Sequence, residues 1–429
     1  MKSTLAKITL LSFLFLLFIP HFTSAETKTF IKEYTYQASE DDSRNSSRTL
    51  ALREVKRLLL EELGTYLESV TEVQNFQLTK DKIFTLTAGI VQTEIVDERW
   101  DGRTYWLRAK IAADSGDITK NINALRNDRE KTKELEEVRK KSDEQLREIT
   151  RLRKELAAAK DVNREKGKAA YNNAISSLTR VEWFEKGYAY NISGDYGNAI
   201  NAFTKAIELD QKYANAYVNR GFAHYKLGNY RQAIENYDNA IELDPKHVLA
   251  YNNRGVAYKE LSNYRQAIEN YDKAIELNPK YGIAYYNRSV AYKELSNYRQ
   301  AIEDLSKDIE LEPKYANAYN NRGTAYEKLG NYRQAVEDYD KAIELDPKHA
   351  NAYNNRGIAY YRLGNYRQAI ENYDKAIELD PKYANAYYSR GAAYYKIGNR
   401  EQCFEDLKTA ARLGDKNAQD YLKREKIDW

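Results

Sequence analysis

The sequence predicts a mainly α fold in which two-helix units stack into a superhelix, and three observations support this prediction. One tyrosine recurs at a fixed interval of 34 residues, at Tyr217, Tyr251, Tyr285, Tyr319, Tyr353 and Tyr387. Each period holds two stretches whose apolar residues follow helical spacing, and a glycine and a proline mark where these stretches end. One such unit cannot bury its apolar face alone, so neighbouring units must stack and together present an extended surface.

Residues 214–247 serve as the reference unit. Gly228 is placed to end the first helix because glycine adopts positive φ readily, and Pro245 is placed to end the second. Gly221 and Ala233 leave room for the two helices to approach closely. The apolar face of the second helix comprises Ala233, Ile234, Tyr237, Ala240, Ile241 and Leu243. The unit is therefore predicted to be a helix–turn–helix of two amphipathic helices.

This unit resembles the tetratricopeptide repeat (TPR). The family pattern is carried by Tyr217, Gly221, Ala223, Ala233, Tyr237, Ala240 and Pro245. Seven such units follow one another, at residues 180–213, 214–247, 248–281, 282–315, 316–349, 350–383 and 384–417. The first carries Gln211 in place of proline, the fourth Ser289 in place of glycine, and the last Gly414 in place of proline. Residues 418–429 are predicted to form a C-terminal cap helix.

One position departs from the family pattern. The residue before the glycine, which is usually apolar, is here Arg220, Arg254, Arg288, Arg322, Arg356 or Arg390. A long arginine stem can pack while its guanidinium pairs with carboxylates on a neighbouring second helix, for which Asp238 and Glu242 are candidates. The alternative is a stripe that binds anions, although arginines that are paired internally would leave little charge for a ligand.

The resemblance implies that the first helix of each unit lines the inner groove of the array. It places five asparagines in register along that groove, namely Asn219, Asn253, Asn287, Asn321 and Asn355. An asparagine offers one acceptor and two donors, which match the polar groups of a peptide bond. We therefore predict a ladder that holds an extended peptide by its backbone. The alternative is that these amides bond to adjacent helices or only hydrate the face.

Tyrosines at neighbouring groove positions would add amphipathic contact area with few rotors to freeze. The predicted ligand-binding tyrosines are Tyr225, Tyr286, Tyr361, Tyr388 and Tyr395. A tyrosine-rich groove also suits a glycan, which stays open as an alternative ligand. In contrast, Tyr217, Tyr230 and Tyr237 occupy positions where the fold requires packing between helices.

The first 25 residues have the features of an export signal. Lys2 and Lys7 precede an apolar run of twelve residues, 8–19, and small residues lead up to Ala25. Basic start, apolar run and small residues are the three parts of a secretory signal. The run is shorter than the roughly 20 residues that span a bilayer. We therefore expect cleavage near Ala25 and a periplasmic or secreted protein with no stable membrane span.

Residues 26–117 are predicted to form a small α+β module, because an alternating strand pattern at 30–36 precedes an amphipathic helix at 51–67. Further strands are predicted at residues 72–78, 83–87, 90–98 and 105–113. A turn at Asp101-Gly102 joins the last two of them. The module resembles the N-terminal module of flagellar assembly T proteins, which implies a role in envelope assemblies. The residues that carry this resemblance lie at 51–67, 87–91 and 105–109.

Residues 118–179 are predicted to form a charged helical spacer that ends in a helix capping the first repeat. A heptad seam of residues three and four apart runs through Leu135, Val138, Ser142, Gln145, Ile149, Leu152, Leu156 and Ala159. Such a seam favours a coiled coil, so a homo-oligomer through residues 119–160, with the repeats as rigid arms, is one interpretation. The other is a semi-rigid spacer, roughly 36 Å long at 1.5 Å per residue.

The sequence contains no pattern typical of a catalytic or cofactor site. His224, His247 and His349 lie in separate repeats without the spacing of metal ligands. Phosphate-binding glycine loops and nucleophile-elbow motifs are absent from the sequence. Net charge is +4, or +2 after loss of Lys2 and Lys7, which is no electrostatic footprint for nucleic acid. The sequence therefore predicts a non-enzymatic scaffold of the cell envelope that binds a protein or peptide partner without a cofactor.

Overall fold

The structure of the protein is a computed structural model that describes residues 27–69, 87–88, 90–127, 129–158 and 161–429. The chain divides into two compact units, Met1–Ser193 and Gly194–Trp429. We call the first the N-terminal domain and the second the repeat domain. Each has its own buried core, built from a sheet and helices in the first and from helix pairs in the second.

The N-terminal domain contains a three-stranded antiparallel sheet. Its strands are β1 (Lys28–Gln37), β2 (Glu94–Trp100) and β3 (Thr104–Ala113), in the order β1-β3-β2. The predicted turn joins β2 to β3, and Gly102 has a φ of +94°, which glycine adopts without a steric penalty. Asp101 fixes the turn by accepting hydrogen bonds from the backbone N–H groups of Arg103 and Thr104. This hairpin prediction is confirmed.

Helix α1 (Arg44–Ser69) packs on β1 and β3, as expected for an α+β module. The residues of this core that are least exposed are Ala51, Val55, Leu59, Leu63, Leu67, Leu107, Ala109 and Ile111. The predicted strands at 72–78 and at 83–86 lie outside the described residues. The strand predicted at 90–98 begins only at Glu94, because the N–H groups of Ile90 and Val91 donate back to the Thr87 carbonyl and form a turn.

Three helices follow the sheet: α2 (Ser115–Asn127), α3 (Arg129–Ala158) and α4 (Asp161–Ser193). The predicted seam is buried at Leu135, Val138, Ser142, Ile149, Leu152 and Leu156. Helix α3 packs along α4, and an added Cβ at Gly167 of α4 would lie 3.0 Å from Cδ2 of Leu156. Among the described residues, the seam is therefore covered by the same chain. The expectation of an extended spacer is not met, because α3 folds back on α4.

Asp42 fastens this helical hairpin to the sheet. Its carboxylate accepts hydrogen bonds from Tyr36 and Ser39 near the end of β1 and from Tyr171 of α4. Arg153 of α3 lies 3.5 Å from the same carboxylate. Burial and the negative charge of Asp42 raise the pKa of Tyr36 above its ordinary value. Sheet, α1 and hairpin thus form one compact unit rather than a module and a separate spacer.

The predicted boundary at residue 180 is not a break in the structure. Helix α4 runs through it to Ser193, since its sequence contains no proline. The next residue, Gly194, has a φ of +82° and ends the helix. The first helix of the first predicted repeat is therefore the C-terminal part of α4.

The repeat domain consists of helix pairs and a terminal helix. Its first elements are α5 (Tyr196–Leu209), α6 (Ala214–Lys226), α7 (Tyr230–Leu243), α8 (Val248–Glu260), α9 (Tyr264–Leu277), α10 (Gly282–Glu294) and α11 (Tyr298–Leu311). They are followed by α12 (Ala316–Lys328), α13 (Tyr332–Leu345), α14 (Ala350–Arg362), α15 (Tyr366–Leu379), α16 (Ala384–Lys396), α17 (Arg400–Arg412) and α18 (Lys416–Arg424). Even numbers from α6 to α16 are first helices of repeats, and odd numbers from α7 to α17 are second helices. No helix in the described ranges is long and apolar enough to cross a membrane.

A close contact between glycine and tyrosine holds each typical helix pair together. An added Cβ at Gly221, Gly255, Gly323 or Gly357 would lie 2.6–2.7 Å from Cε1 of a tyrosine on the second helix. These tyrosines are Tyr237, Tyr271, Tyr339 and Tyr373, each at most 1% exposed. The fourth repeat differs, since Ser289 replaces the glycine and Leu305 replaces the tyrosine. The smaller Leu305 leaves space for the Cβ of Ser289.

Candidate binding surface of the repeat domain

First helices of consecutive repeats lie next to one another in the array. They pack against one another at α6–α8, α8–α10, α12–α14 and α14–α16. Consecutive second helices do not approach one another as closely in residues 194–429. Polar side chains of consecutive first helices are also joined directly by hydrogen bonds. Consecutive first helices therefore share one side of the array, which is the side that the TPR resemblance predicts as the groove.

Three of the predicted asparagines form bridges between consecutive first helices. The side-chain N–H of Asn287 donates to Oδ1 of Asn252 at 3.0 Å, and that of Asn355 donates to Oδ1 of Asn320 at 3.1 Å. Asn321 donates to the Tyr286 hydroxyl at 2.8 Å. Each bridge joins residues 35 apart, one repeat plus one position. Bonding to adjacent helices, the alternative to the ladder, is thus present in the structure.

The asparagines differ in how much of their hydrogen-bonding capacity is used within the chain. Asn219 is only 8% exposed and donates to the backbone carbonyl of Asn215. Asn321 uses both ends, because its Oδ1 also accepts from Lys293 at 2.9 Å. By contrast, Oδ1 of Asn287 and Nδ2 of Asn253 have no hydrogen-bond partner among the described residues. The asparagine row is therefore in register, and only part of its hydrogen-bonding capacity is unused among the described residues.

The predicted tyrosines also differ in accessibility. Tyr395 is 58% exposed, whereas Tyr225, Tyr286, Tyr361 and Tyr388 are half-buried. Ring contacts of 5.3–5.6 Å pair Tyr225 with Tyr230, Tyr286 with Tyr315, and Tyr361 with Tyr366. Burial, aided by the charge of Glu260, raises the pKa of Tyr225 to about 12. These rings are held in place by neighbours, and Tyr395 offers the largest free aromatic surface of the five.

The arginines before the repeat glycine are paired within the chain, which is the first of the two interpretations made from the sequence. Each guanidinium stacks 5.3–5.8 Å from the tyrosine three residues earlier. Its Nε donates to a residue of the second helix in the same repeat, namely Asn236, Asn270, Asp304, Asp338, Asn372 or Asp406. Its Nη1 donates to the second helix of the preceding repeat, at Thr204, Asp238, Asp272, Ser306, Asp340 or Asp374. Of the two carboxylates predicted as partners, Asp238 bonds to Arg254, so this prediction is confirmed. Glu242 is not among the hydrogen-bond partners of Arg254.

Sequence reasoning did not identify the residues that hold the asparagine row in place. Asn252, Asn320 and Lys293 accept from or donate to the predicted asparagines. The signal that would have revealed two of them is a second asparagine, one position before the first, in the repeats at 248–281 and 316–349. Because one repeat is 34 residues, such neighbours meet across the repeat boundary at a separation of 35.

The N-terminal domain offers a second candidate, a cavity of about 1410 Å³ that the sequence did not indicate. Arg53 in its wall pairs with Glu185 and Asp143 at 3.3 and 3.5 Å. Glu182 is 8% exposed, and its Oε1 has no partner among the described residues. Burial raises the pKa of Glu182 to about 7. Acidic and basic side chains both line the cavity, which gives no preference for the charge of a ligand.

Comparison with known proteins agrees with this repeat geometry. Tetratricopeptide repeat models match residues 214–247, 248–281, 270–303, 314–382 and 372–405, and a TPR repeat model matches 187–228 and 290–330. No curated protein matches the chain.

The solved structures that are similar to this chain include TPR proteins. YrrB, a TPR protein with an unusual peptide-binding site, is 28% identical, and the match covers 44% of this chain and 98% of YrrB with a TM-score of 0.40. MamA is 28% identical over 40% of this chain and 94% of its own, with a TM-score of 0.37. A tetratricopeptide repeat protein from Parabacteroides merdae is 24% identical over 57% and 98%, with a TM-score of 0.46. Through residues 187–405, the chain belongs to the tetratricopeptide repeat family.

Proposed function

We propose that the repeat domain is a protein-interaction scaffold whose inner face holds an extended segment of a partner polypeptide. The observation that carries this proposal is the row of asparagines on consecutive first helices. The amides of Asn287, Asn321 and Asn355 are oriented by bonds to the neighbouring repeat, so little ordering entropy opposes a ligand there. Asn287 Oδ1 can accept a peptide N–H, and Asn253 Nδ2 can donate to a peptide carbonyl, since neither has a partner among the described residues.

Affinity for such a segment requires contributions beyond the asparagines. Each backbone hydrogen bond contributes on the order of 0.5–1.5 kcal/mol, and the internal bridges reduce the number of amide groups that remain. Micromolar binding corresponds to roughly 8 kcal/mol. Apolar contact must supply the rest, and the half-exposed ring of Tyr395 near the C-terminal end is suited to it. A ligand is thus expected to engage several repeats at once.

We also propose that the protein acts in the cell envelope after cleavage near Ala25. The support is the signal-like composition of the first 25 residues, with Lys2 and Lys7 before an apolar run. The test is N-terminal sequencing of the protein isolated from fractionated cells of its own organism. A mature chain that starts at Glu26 in the envelope fraction supports export, and an intact Met1 in the cytosol contradicts it.

The two alternative functions, oligomerisation through a coiled coil and binding of a glycan, receive no specific support from the structure. Oligomerisation through residues 119–160 would have to expose Leu152 and Leu156, which α4 now covers. A glycan would require open tyrosine faces, but three of the five predicted tyrosines pack against another ring. A polypeptide in the groove is therefore the function that the geometry favours.

The groove is tested by crosslinked capture from envelope extract with the mature chain and with Asn287→Ala/Asn321→Ala. The matched control is Asn239→Ala, an exposed asparagine of the second helix α7. Melting curves of all three proteins establish that the array is intact. A partner retained by the control and lost by the double variant supports the groove. Equal capture by all three proteins places the binding site elsewhere.

A further inference from the structure

Arg220 differs from the other five arginines of its row in the charge of its partners. Arg288 and Arg390 each bond to two aspartates, and Arg254, Arg322 and Arg356 each bond to one. Arg220 donates to Oδ1 of Asn236 at 2.7 Å and to Oγ1 of Thr204 at 3.1 Å. Both partners are neutral. Within residues 194–429, Arg220 is thus the member of the row that has no carboxylate partner.

The direction of its pKa shift also distinguishes Arg220 from Arg322. Burial alone lowers the pKa of Arg220 below its ordinary value, whereas hydrogen bonding to Asp338 raises that of Arg322. His224, one turn further along α6, adds no compensating negative charge. Burial and the positive charge of Arg220 lower the pKa of His224, and the negative charge of Glu235 opposes this shift. A half-buried cation without a counter-ion is the arrangement that an incoming anion would stabilise.

We propose that Arg220, Thr204 and Asn236 form a binding site for one carboxylate group. A carboxylate is the expected ligand because the next repeat has one at the equivalent position. There, Oδ1 of Asp238 lies 2.5 Å from Nη1 of Arg254. The side chains of Asp238, Asp272, Asp340 and Asp374 are 50–52% exposed. At the equivalent position beside Arg220, the shorter side chain of Thr204 accepts one Nη1 hydrogen bond through its hydroxyl. A carboxylate that arrives from solvent can therefore pair with the remaining N–H groups of Arg220. This site lies between second helices and does not depend on the proposed groove.

The test uses acetate and follows the Nε–Hε resonance of Arg220 in the full chain by NMR. Two charge-assisted hydrogen bonds predict a saturable shift with a dissociation constant on the order of 1–10 mM. Arg254 is the internal reference, since Asp238 already occupies its site. Sodium chloride at the same ionic strength controls for screening. The absence of a saturable shift at Arg220, or an equal shift with chloride, overturns the proposal.

Two variants of nearly equal size separate charge from shape. Thr204→Asp supplies the carboxylate that Asp238 supplies to Arg254, and Thr204→Asn supplies the same volume without charge. Thr204→Asp is expected to abolish the acetate response and to melt at a higher temperature than Thr204→Asn, which keeps the response. If both variants bind acetate like the parent, or melt at the same temperature, the carboxylate site is contradicted.

A titration with peptides in the same NMR experiment shows whether the carboxylate comes from a polypeptide or from a small molecule. A short peptide with one central aspartate is compared with acetate and with the same peptide carrying asparagine. Binding of the aspartate peptide at least tenfold tighter than acetate assigns the site to an acidic residue of a partner polypeptide. Equal affinities assign it to small free carboxylates. Equal binding of the asparagine peptide contradicts recognition of a carboxylate.

Discussion

At the scale of single residues, the fourth repeat departs from the pattern at two positions that compensate each other. Tyr271 fills the space that Gly255 leaves open, and an added Cβ at Gly255 would lie 2.6 Å from its ring. In the fourth repeat the same two positions hold Ser289 and Leu305, so a larger residue on one helix is matched by a smaller one on the other. The glycine is thus required by the tyrosine rather than by the backbone.

Gly255→Ala is therefore expected to destabilise the repeat domain by about 1–3 kcal/mol, the usual cost of overpacking. Gly255→Ala/Tyr271→Leu is expected to recover part of this loss, because it reproduces the natural pair of the fourth repeat. Chemical denaturation of both variants checks the coupling. Gly197→Ala in α5 is the control, since nothing lies within 4 Å of its added Cβ. Additive effects of the two substitutions would contradict this account.

Asp308 occupies the position that is alanine in most repeats, and it is 2% exposed. Its Oδ2 has no hydrogen-bond partner in the described part of the chain, and Gly282 provides the space, since an added Cβ there would lie 2.8 Å from Oδ1. Burial, together with the charge of Glu312, raises the pKa of Asp308 from 3.8 to about 7. The fold therefore favours the protonated form of this carboxyl group.

This shift predicts that stability falls as pH rises. Between about pH 4 and pH 7 the folded protein holds a proton that the unfolded chain releases, so the free energy of unfolding decreases through this window. Asp308→Ala is expected to raise that free energy at pH 8 by about 1–3 kcal/mol, and by less at pH 4. Urea denaturation at the two pH values measures the difference. The pKa shift of Asp308 would be contradicted if Asp308→Ala raised the free energy of unfolding equally at both pH values. It would also be contradicted if Glu303→Ala, the control at an exposed site, showed the same pH dependence.

At the scale of elements, the arginine of each first helix from α6 to α16 donates hydrogen bonds to two second helices. Arg288 is the clearest case, because Asp304 is nearly buried in the same repeat and Asp272 belongs to the preceding one. Burial by itself lowers the pKa of Arg288, but its bonds to Asp304 and Asp272 raise the pKa above the ordinary value. The row of arginines thus sets how consecutive repeats are joined, in addition to apolar packing.

Arg288→Met is expected to destabilise the repeat domain by about 3–5 kcal/mol, because it leaves the Asp304 carboxylate buried without its partner. Arg288→Met/Asp304→Asn is expected to recover much of this loss, since asparagine occupies the same position in three other repeats. The measurement is equilibrium unfolding in urea. Lys307→Met, which breaks an exposed ion pair on α11, serves as the control and should change stability little. Failure of the second substitution to rescue the first would contradict this account of the row.

A substitution in α3 tests whether its heptad seam is covered by α4 of the same chain or by a second copy of the chain. Leu152→Ala removes a side chain that is 6% exposed and is expected to destabilise the N-terminal domain by about 2–5 kcal/mol. The sedimentation mass should stay that of the parent, because the seam is closed within one chain. Lys154→Ala, an exposed neighbour, is the matched control. Loss of an oligomer on Leu152→Ala would favour the coiled-coil interpretation instead.

At the scale of the whole molecule, the sequence was most informative where it repeats. The 34-residue period is a direct record of the helix pairs, so helix bounds and the packing role of Tyr237 could be predicted. The seam at residues 135–156 was recognised, but its partner was not, because a seam does not state which helix covers it. Bridges such as Asn287–Asn252 were missed because they cross repeat boundaries.

The central claim is that the side formed by first helices binds a partner polypeptide. The most direct measurement places a photocrosslinking amino acid at Tyr395 on the first helix α16 or at Asn239 on the second helix α7, and sequences the crosslinked partner peptides by mass spectrometry. The account predicts one recurring partner segment from position 395 and none from position 239. Crosslinks to the same segment mainly from position 239, or none from position 395, would contradict it.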